Sequence, residues 1–385
     1  MLHDPGAPRG PRRRLVLVIP GLGTGGAELQ LTAMLEAAPR AAITRFDIAV
    51  VTFGHHPSPD LARRLESLGI EVTTIDRQGQ SFTSFFTRLV RYFRRARPDI
   101  VHTVLGGSTG TWGRIAGWIA KVPMIMHSER SLEPRSTRLQ ALLEPVANRL
   151  THRFVVNAVA IQERLVRRGV KAERIHVLRN GVSLTRFSAR DPGPIRDAWG
   201  VQRDSVVAGF LGMLRPEKRA DLLLEALATL PGESRPDHVM IAGDGMMRES
   251  LERRVAGDAW LREHCRFLGV VEDTPGFLAG IDFLVLSSDT EGLPNAVLEA
   301  MAMARPCVAT AVSDVPDLIA GCGMCVERGN AVALGKAIAQ MTAMAPEERG
   351  SLGASARQRI ERTYDLDRAA LEFLALHEAP PGGPA

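Results

Sequence analysis

The sequence predicts an α/β protein built from two doubly wound parallel sheets. Short apolar runs alternate with helical patterns, this rhythm occurs twice along the chain, and turn residues cluster between the two series. The chain has 385 residues, of which 45% are hydrophobic and 24% charged, as in ordinary globular proteins. This length is sufficient for two domains, each with its own core.

The first series predicts strands at residues 15–19, 48–53, 71–75, 100–104, 124–126, 153–157 and 176–178. The second predicts strands at 206–211, 238–241, 265–268, 283–286 and 307–309, with a helix at 220–230 after the first of them. Turn residues at 179–187 and 191–194 mark the join. We therefore predict an N-terminal domain at 1–183, a second domain at 184–365, and a C-terminal helix and tail at 366–385. This last helix can pack back on the N-terminal domain.

Cysteine usage and apolar run lengths exclude several classes of protein. Four cysteines in a chain of this length do not make a disulfide framework, and we interpret them as reduced, small buried residues: Cys265, Cys307, Cys322 and Cys325. Three arginines at 12–14 precede the apolar run 15–19, but Pro20 ends that run too early for a signal peptide. The reduced cysteines are typical of a cytoplasmic protein. No run of about 18 apolar residues occurs, so we expect no membrane span.

Charge is distributed unequally between the two halves. Residues 1–185 contain 27 Lys and Arg against 14 Asp and Glu, whereas residues 186–385 contain 21 against 29. The basic half therefore favours a nucleic acid, an anionic membrane surface or a phosphate-bearing substrate as its partner. No zinc-binding, helix-turn-helix or aromatic RNA-binding pattern is present, which argues against nucleic acid.

Two glutamates flank a Gly-x-Pro turn after the predicted strand 283–286. Pro294 suits the start of a helix, so Glu291 is expected on the loop and Glu299 inside the helix. Carboxylates accept hydrogen bonds from paired hydroxyls, and the amides at a helix start bind hydroxyls or anions. The alternative is a solvated surface helix with two ordinary glutamates.

Two further loops carry phosphate-binding features. Residues 21–26 match G-x-G-x-x-G after a strand, but the second strand lacks the terminal acidic residue that would bind a nicotinamide ribose. What remains is a loop suited to close approach by a phosphate. Arg215 and Lys218 lie on the turn after strand 206–211, where both can contact a diphosphate. A solvated charged turn is the alternative.

In combination, these segments resemble the retaining glycosyltransferase family 4. In chain order the resembling stretches are GTGGAE, RPDIVHT, RNGVSLTRF, GMLRPEK, AGDG, RFLGVVED, SSDTEGLPNAVLEAMA and RPCVATAVSDVPDLI. They cover nearly the whole chain. The resemblance implies a GT-B fold, with two Rossmann-like domains facing a central cleft.

The resemblance also implies roles for individual residues. Glu299 matches the glutamate that binds the ribose of a nucleotide-sugar, and Glu291 the one that contacts the transferred sugar. Lys218 matches the lysine that neutralises the leaving diphosphate. The other residues at matching donor-binding positions are Gly25, Gly26, Gly243, Phe267, Leu268, Val270, Gly292, Leu293, Pro294 and Asn295. His127 falls where the family often has a histidine near the sugar; the alternative is a structural histidine.

The chain departs from the family pattern at two positions. Met213 stands where the family usually has an arginine, so Arg215 is the candidate that supplies this charge. Ser313 and Asp314 stand where the family usually has two glycines.

The implied reaction needs neither a metal nor a cofactor. A nucleoside diphosphate, UDP or GDP, leaves an anomeric carbon, and Lys218 and Arg215 stabilise the charge on the β-phosphate. The D-x-D pattern at Asp365 and Asp367 precedes the last helix, where capping is its expected role.

The acceptor is the part of the reaction that the sequence specifies least. Apolar residues recur at helical spacing over 82–93 with arginines between them, which fits either docking on anionic lipid or packing on the sheet. The basic N-terminal half favours a lipid-linked or saccharide acceptor at the inner face of a bacterial membrane, in polysaccharide or glycolipid synthesis. A small soluble acceptor is the alternative.

Overall fold

The computed structural model describes residues 12–23, 25–54, 59–132 and 137–379. The chain forms two compact units. Unit 1 combines Met1–Gly181 with Leu366–Ala385, and unit 2 is Val182–Asp365. Every strand pairing within the two sheets is parallel.

Unit 1 contains a seven-stranded sheet in the order β3-β2-β1-β4-β5-β6-β7. Its strands are β1 (Arg13–Ile19), β2 (Phe46–Thr52), β3 (Glu71–Thr74), β4 (Ile100–Val104), β5 (Met124–Glu129), β6 (Arg153–Val156) and β7 (Ile175–Val177). Its first seven helices are α1 (Gly26–Ala37), α2 (Arg40–Ile43), α3 (Pro59–Ser67), α4 (Phe82–Ala96), α5 (Ser108–Ile119), α6 (Arg138–Leu150) and α7 (Val159–Arg167).

Strand β1 shows why the apolar runs are continuous. Leu15, Leu17 and Ile19 contact the core beneath α1 and α3, while Val16 and Val18 contact the core beneath α4 and α5. All five side chains are fully buried. A parallel strand covered by helices on both faces has no solvent-facing position, so its sequence does not alternate.

Helix α4 is the segment whose sequence fits either lipid docking or core packing. Phe85, Leu89 and Phe93 are buried in the core against the sheet, and Val90 is nearly so. This apolar face is therefore occupied inside unit 1, which corresponds to the core-packing alternative. The arginines between these residues face solvent.

Unit 2 contains a six-stranded sheet in the order β10-β9-β8-β11-β12-β13. Its strands are β8 (Val207–Leu211), β9 (His238–Ala242), β10 (Cys265–Gly269), β11 (Phe283–Leu286), β12 (Cys307–Thr310) and β13 (Gly323–Val326). Its helices are α8 (Gly193–Trp199), α9 (Ala220–Ala228), α10 (Arg248–Ala256), α11 (Ala259–His264), α12 (Thr274–Gly280), α13 (Asn295–Ala302), α14 (Val315–Ile319), α15 (Ala331–Ala343) and α16 (Pro346–Thr363). Each strand expected from the sequence is present, with ends within three residues of those expected.

Strand β13 was not predicted, and it also corrects the interpretation of the cysteines. It lies at the sheet edge and is only partly buried, and its apolar run, Met324–Val326, is short and follows a glycine. Cys325, on this strand, is exposed, so the expectation that all four cysteines are buried is wrong for it. All four are free thiols, and burial raises the pKa of Cys265 to about 12.

The last helix, α17 (Leu366–Glu378), packs within unit 1. Phe373 and Leu374 join the core beneath α1. The guanidinium of Arg13 donates to the carbonyl of His377 at 2.6 Å, a favourable arrangement at a helix C-terminus. Among the helices of the described ranges, none is long and apolar enough to cross a bilayer.

Candidate functional site

The loops after β8, β9 and β10 form a continuous rim at the carboxyl edge of the unit 2 sheet. Parallel strands bring their carboxyl ends to the same edge, where ligands bind in folds of this type. The Gly212 N–H donates to Ala242 O at 3.0 Å, and the Gly243 N–H donates to Gly269 O at 2.7 Å. Backbone hydrogen bonds thus fix the three loops to one another.

Gly243 permits the closest of these backbone approaches. Its φ of +139° lies in a region that residues with a Cβ rarely adopt. A Cβ built on Gly243 would lie 1.9 Å from the carbonyl oxygen of Gly212. Only glycine fits here without moving the backbone, which explains the glycine at the start of the AGDG loop.

Lys218 and Glu291 are in direct contact. Lys218 Nζ donates to Glu291 Oε1 at 2.6 Å, and Ser288 Oγ donates to the same carboxylate oxygen at 2.7 Å. The side chain of Lys218 keeps 25% of its surface accessible, whereas that of Glu291 keeps 9%. The ammonium is therefore neutralised by a buried carboxylate but still accessible to a ligand.

Hydrogen bonds between two loops hold this pair in place. The Asp289 N–H donates to Glu217 O at 2.9 Å, and Ser287 Oγ donates to Lys218 O at 3.1 Å. The loop after β11 is thus attached to the turn after β8 on both sides of the ion pair. Because the two segments are fixed, the positions of the ammonium and the carboxylate are fixed as well.

A second ion pair beside the first was not expected from the sequence. Arg219 contacts Asp289 at 2.9 Å and Asp221 at 3.2 Å, and the hydrogen bond to Asp289 raises the pKa of Arg219. Arg219 has a φ of +50°, a left-handed conformation at the junction of the turn and α9. The acidic run around Asp289 offered the sequence signal, but its partner lies 70 positions away.

Arg215 differs from Lys218 in its surroundings. It is exposed at the start of the same turn, and within the described ranges no ion pair or side-chain hydrogen bond is formed by it. Met213, at the position of the usual family arginine, is partly buried. The structure therefore leaves the guanidinium of Arg215 available to a diphosphate.

Glu299 lies in the second turn of α13, which begins directly after Pro294. Glu299 is partly accessible, yet desolvation of its carboxyl raises its pKa to about 7, with the Arg186 guanidinium opposing that shift. Gly292 and Leu293, in the turn before α13, are buried, while Asn295 is partly exposed. A carboxyl with a pKa near neutrality is sensitive to a ligand that donates hydrogen bonds to its ionised form.

The expected wall for the nucleobase lies on and after β10. Phe267 and Leu268 are partly buried, and Val270 is exposed. The pairing of β10 with β9 is irregular between Phe267 and Gly269, which changes the direction of the strand end.

The site residues expected in unit 1 lie at the carboxyl edge of its own sheet. Gly25 immediately precedes α1 and Gly26 begins it, while the neighbouring Thr24 lies outside the described residues. A Cβ on Gly25 would lie 2.2 Å from Glu28 Oε2, so the carboxylate of Glu28 closes over this glycine.

His127 is fully buried in unit 1. Its Nδ1 lies 2.9 Å from Thr103 Oγ1, and its Nε2 faces Glu129 at 3.8 Å. Burial, with a smaller contribution from the Arg114 guanidinium, lowers the pKa of His127, so its imidazole is neutral near pH 7. These contacts all lie within unit 1, and contact of His127 with a sugar remains a prediction.

Within the described ranges, no group of three His, Cys, Asp or Glu side chains is placed to hold a metal ion. The arrangement in unit 2 instead presents cationic side chains at the end of a parallel sheet. Lys218, Arg215 and the rim amides can bind a diphosphate, and Glu299 can accept from a diol.

Two family profiles match the chain. The profile described as "Glycosyltransferase Family 4" matches residues 24–186, and that described as "Glycosyl transferases group 1" matches residues 205–343. Between them they span most of both units.

Curated relatives share part of this chain. An Escherichia coli UDP-Gal:alpha-D-GlcNAc-diphosphoundecaprenol alpha-1,3-galactosyltransferase is 30% identical over 240 residues, 58% of this chain and 61% of the relative. A D-inositol 3-phosphate glycosyltransferase of Saccharomonospora viridis is 29% identical over 307 residues, 73% of this chain and 70% of the relative. The match thus covers less than two thirds of the Escherichia coli protein.

Solved structures share the fold. The Anabaena protein HepE in complex with UDP superposes with a TM-score of 0.79 at 20% identity, covering 95% of this chain and 99% of that one. The two family profiles, together with the two parallel α/β units and the GT-B fold, show that this chain belongs to the retaining glycosyltransferase family 4.

Proposed function

We propose that the protein transfers a sugar from a UDP-sugar to a lipid-linked or saccharide acceptor, with retention of anomeric configuration, in cell-envelope polysaccharide or glycolipid synthesis. The observation that carries this proposal is the 2.6 Å contact between Lys218 and Glu291 at the carboxyl edge of the unit 2 sheet. UDP is supported by the name of the Escherichia coli relative and by the ligand of HepE.

The main electrostatic task in this reaction is to stabilise the leaving diphosphate. When the bond between C1 and the phosphate oxygen breaks, negative charge grows on the β-phosphate. The ammonium of Lys218 stabilises this charge. Glu291 Oε1 holds that ammonium in place. The exposed Arg215 supplies a second cation as the donor binds.

The acceptor hydroxyl then attacks C1 on the face from which the diphosphate leaves. Its oxygen forms the new bond to C1, and its proton goes to the departing phosphate oxygen, so no side chain has to act as a general base. Lys218 and Ser288 both donate to Glu291 Oε1. The carboxylate can therefore accept hydrogen bonds from the transferred sugar through its other oxygen, Oε2. Glu299 holds the ribose, and the base lies against Phe267 and Leu268.

The pH dependence of UDP binding tests the role of Glu299. Because its pKa is near 7, the Glu299 carboxyl is partly protonated in the free protein at neutral pH. A ribose diol, in contrast, donates hydrogen bonds to the ionised carboxylate. UDP affinity of the wild type is therefore expected to rise as pH increases through about 7. Glu299→Gln should weaken binding by about 1–3 kcal/mol above that pH and should remove this part of the pH dependence.

Isothermal titration calorimetry with UDP on both sides of neutrality provides the measurement. The titration of UDP itself is common to both proteins, so the difference between the two pH profiles isolates Glu299. Equal affinities and equal profiles for wild type and Glu299→Gln would contradict the ribose assignment.

Turnover is expected to continue without a divalent cation, because Lys218 and Arg215 supply the positive charge that a metal would otherwise provide. Donor hydrolysis should be unchanged in excess EDTA. Inhibition by EDTA that Mg²⁺ or Mn²⁺ reverses would contradict this expectation.

A panel of nucleotide-sugars, read by mass spectrometry for nucleoside diphosphate release, tests the proposed donor. UDP-sugars should be hydrolysed slowly without acceptor, and Lys218→Ala should lower this release on the order of 10²–10³-fold. Release from GDP-sugars alone would overturn the choice of UDP, and no release or binding with any donor would overturn the activity.

A small soluble acceptor is the second candidate. It is favoured by the likeness to the D-inositol 3-phosphate glycosyltransferase, which extends over 73% of this chain. Transfer assays with polyprenyl-diphosphate-linked sugars and with free polyol phosphates, under the same donor, distinguish the two. Product in only the water-soluble fraction would favour the second candidate.

A further inference from the structure

Helix α6 carries an unusual exposed stripe of apolar side chains. Leu139, Leu142 and Val146 are 54%, 75% and 46% exposed. Their spacing places them on one side of the helix. A different side of the helix is occupied inside unit 1, where Gln140 and Ala147 are buried. No other helix in the described ranges exposes three large apolar residues.

A neighbouring aromatic side chain enlarges this surface. Helices α5 and α6 lie side by side, since the Arg114 guanidinium contacts Glu144 and Asn148 at 2.7 Å each. Trp118 follows Arg114 by one helical turn and therefore lies on the side of α5 that faces α6. It is 58% exposed. Large exposed apolar patches of this kind mark interaction sites.

The three helices α4, α5 and α6 are also strongly cationic. Their sequences contain seven arginines and one acidic residue, Glu144. Glu144 pairs with the buried Arg114 at 2.7 Å, so these two charges neutralise each other. The remaining six charges are all positive, namely Arg88, Arg91, Arg94, Arg95, Arg138 and Arg149.

A cationic cavity adjoins this surface where α4 and α5 end. It has a volume of about 350 Å³, and Arg94, Arg97 and Lys121 are among its lining residues. Asp99, its one carboxylate, accepts a hydrogen bond from the Arg14 N–H at 2.7 Å. The cavity therefore offers several cations to a phosphate group.

We propose that this surface of α4, α5 and α6 docks on an anionic lipid bilayer, with Leu139, Leu142, Val146 and Trp118 entering the interfacial region. This deepens the proposed lipid-linked acceptor and rests on that proposal for its biological use. A basic helix surface around an apolar stripe is the pattern of proteins that lie on membranes. Tryptophan is enriched at the membrane–water interface, where Trp118 would lie.

Charge decides between a bilayer and a second copy of the chain as the partner. In a two-fold symmetric dimer the same surface would meet itself, so six unneutralised arginines would face six others. Like charges brought together at an interface are unfavourable. An anionic bilayer attracts every one of them.

Co-sedimentation with vesicles tests the proposal. The full chain is mixed with vesicles of phosphatidylcholine alone or with added phosphatidylglycerol, and bound protein is measured in the pellet. Wild type should bind the anionic vesicles and be released by salt. Leu139→Ser/Leu142→Ser should bind at least about tenfold more weakly, because both side chains lose their apolar contact.

Matched variants separate this surface from general effects. Arg91→Gln/Arg94→Gln/Arg95→Gln should also lose binding, whereas Arg253→Gln/Arg254→Gln on α10 should not. The apolar control is Val332→Ser/Leu371→Ser, two exposed residues on α15 and α17, which should bind as wild type does. Tryptophan emission should shift to the blue on binding, and Trp118→Phe should remove most of that shift.

Three outcomes would overturn the proposal. If the wild type stays in the supernatant with anionic vesicles at low salt, the bilayer is not its partner. If Leu139→Ser/Leu142→Ser binds vesicles as well as the wild type does, the stripe on α6 is not what contacts the bilayer. A wild-type dimer that this variant converts to a monomer assigns the surface to a second copy. UDP-sugar hydrolysis is measured on every sample without vesicles, so a failure of docking with hydrolysis intact is distinguishable from a failure of the proposed function.

Discussion

Lys218→Ala is expected to lower the rate of UDP-sugar turnover on the order of 10²–10³-fold, the usual loss when one electrostatic stabiliser of a transition state is removed. The ammonium is the cation that Glu291 and two loop hydrogen bonds hold at the sheet edge. Because charge on the β-phosphate grows as the bond to C1 breaks, the variant should lose more in turnover than in UDP affinity.

Steady-state kinetics and calorimetry on the same preparations provide the measurement. Lys336→Ala, an exposed lysine on α15, is the matched control and should be neutral. Removing Lys218 also leaves the buried carboxylate of Glu291 without its cation and with the hydroxyl of Ser288 as a donor, so thermal unfolding must be recorded alongside. Near-normal turnover in a folded Lys218→Ala protein would exclude Lys218 from the mechanism, and a large loss in Arg215→Ala would then move that role to Arg215.

Much of the fold could be predicted because parallel strands buried on both faces leave continuous apolar runs. Val207–Leu211 and Phe283–Leu286 are visible in the sequence for this reason. The edge strand Gly323–Val326 is half exposed, and its short apolar run after a glycine was not distinguished from a loop by the same criterion. The helix at 82–96 gave an ambiguous signal, because an apolar face looks the same whether a sheet or a lipid covers it.

The candidate site was predictable as a set of residues but not as a set of contacts. Glu291, Glu299 and Lys218 were proposed as site residues from the strand-to-helix turns and from the family resemblance. Their spacing did not reveal that Lys218 and Glu291 touch, nor that Arg219 pairs with Asp289, because both contacts join loops about 70 residues apart. Long-range pairs of this kind depend on strand order, which local sequence does not encode.

The departure at Ser313 also became interpretable only in three dimensions. Ser313 stands where the family usually has glycine, and it adopts a φ of +50°. That is the left-handed conformation that glycine adopts without strain and that serine adopts at a modest energetic cost. The loop after β12 therefore keeps a glycine-like backbone, and its Oγ is buried without a hydrogen-bond partner within the described ranges.

Gly243→Ala is expected to damage the donor site more than any other single methyl group added to this rim. A Cβ at this position would lie 1.9 Å from Gly212 O, in a residue with a φ of +139°. Neither group belongs to a flexible side chain, so the loops after β8 and β9 must separate. Those loops carry Arg215 and Lys218 and are joined by the hydrogen bond from Leu214 N–H to Asp244 O at 2.9 Å.

A displacement on the order of 1 Å at such a site costs about 10² in rate, and the strained backbone adds about 1–3 kcal/mol of lost stability. Turnover, UDP affinity and the unfolding midpoint in urea should therefore all fall in Gly243→Ala. Gly257→Ala is the control, because its Cβ would meet the nearest atom at 3.5 Å and Gly257 has a φ of −79°. If Gly243→Ala turns over and unfolds as Gly257→Ala does, the close approach of these two loops is not what positions Lys218 for the diphosphate.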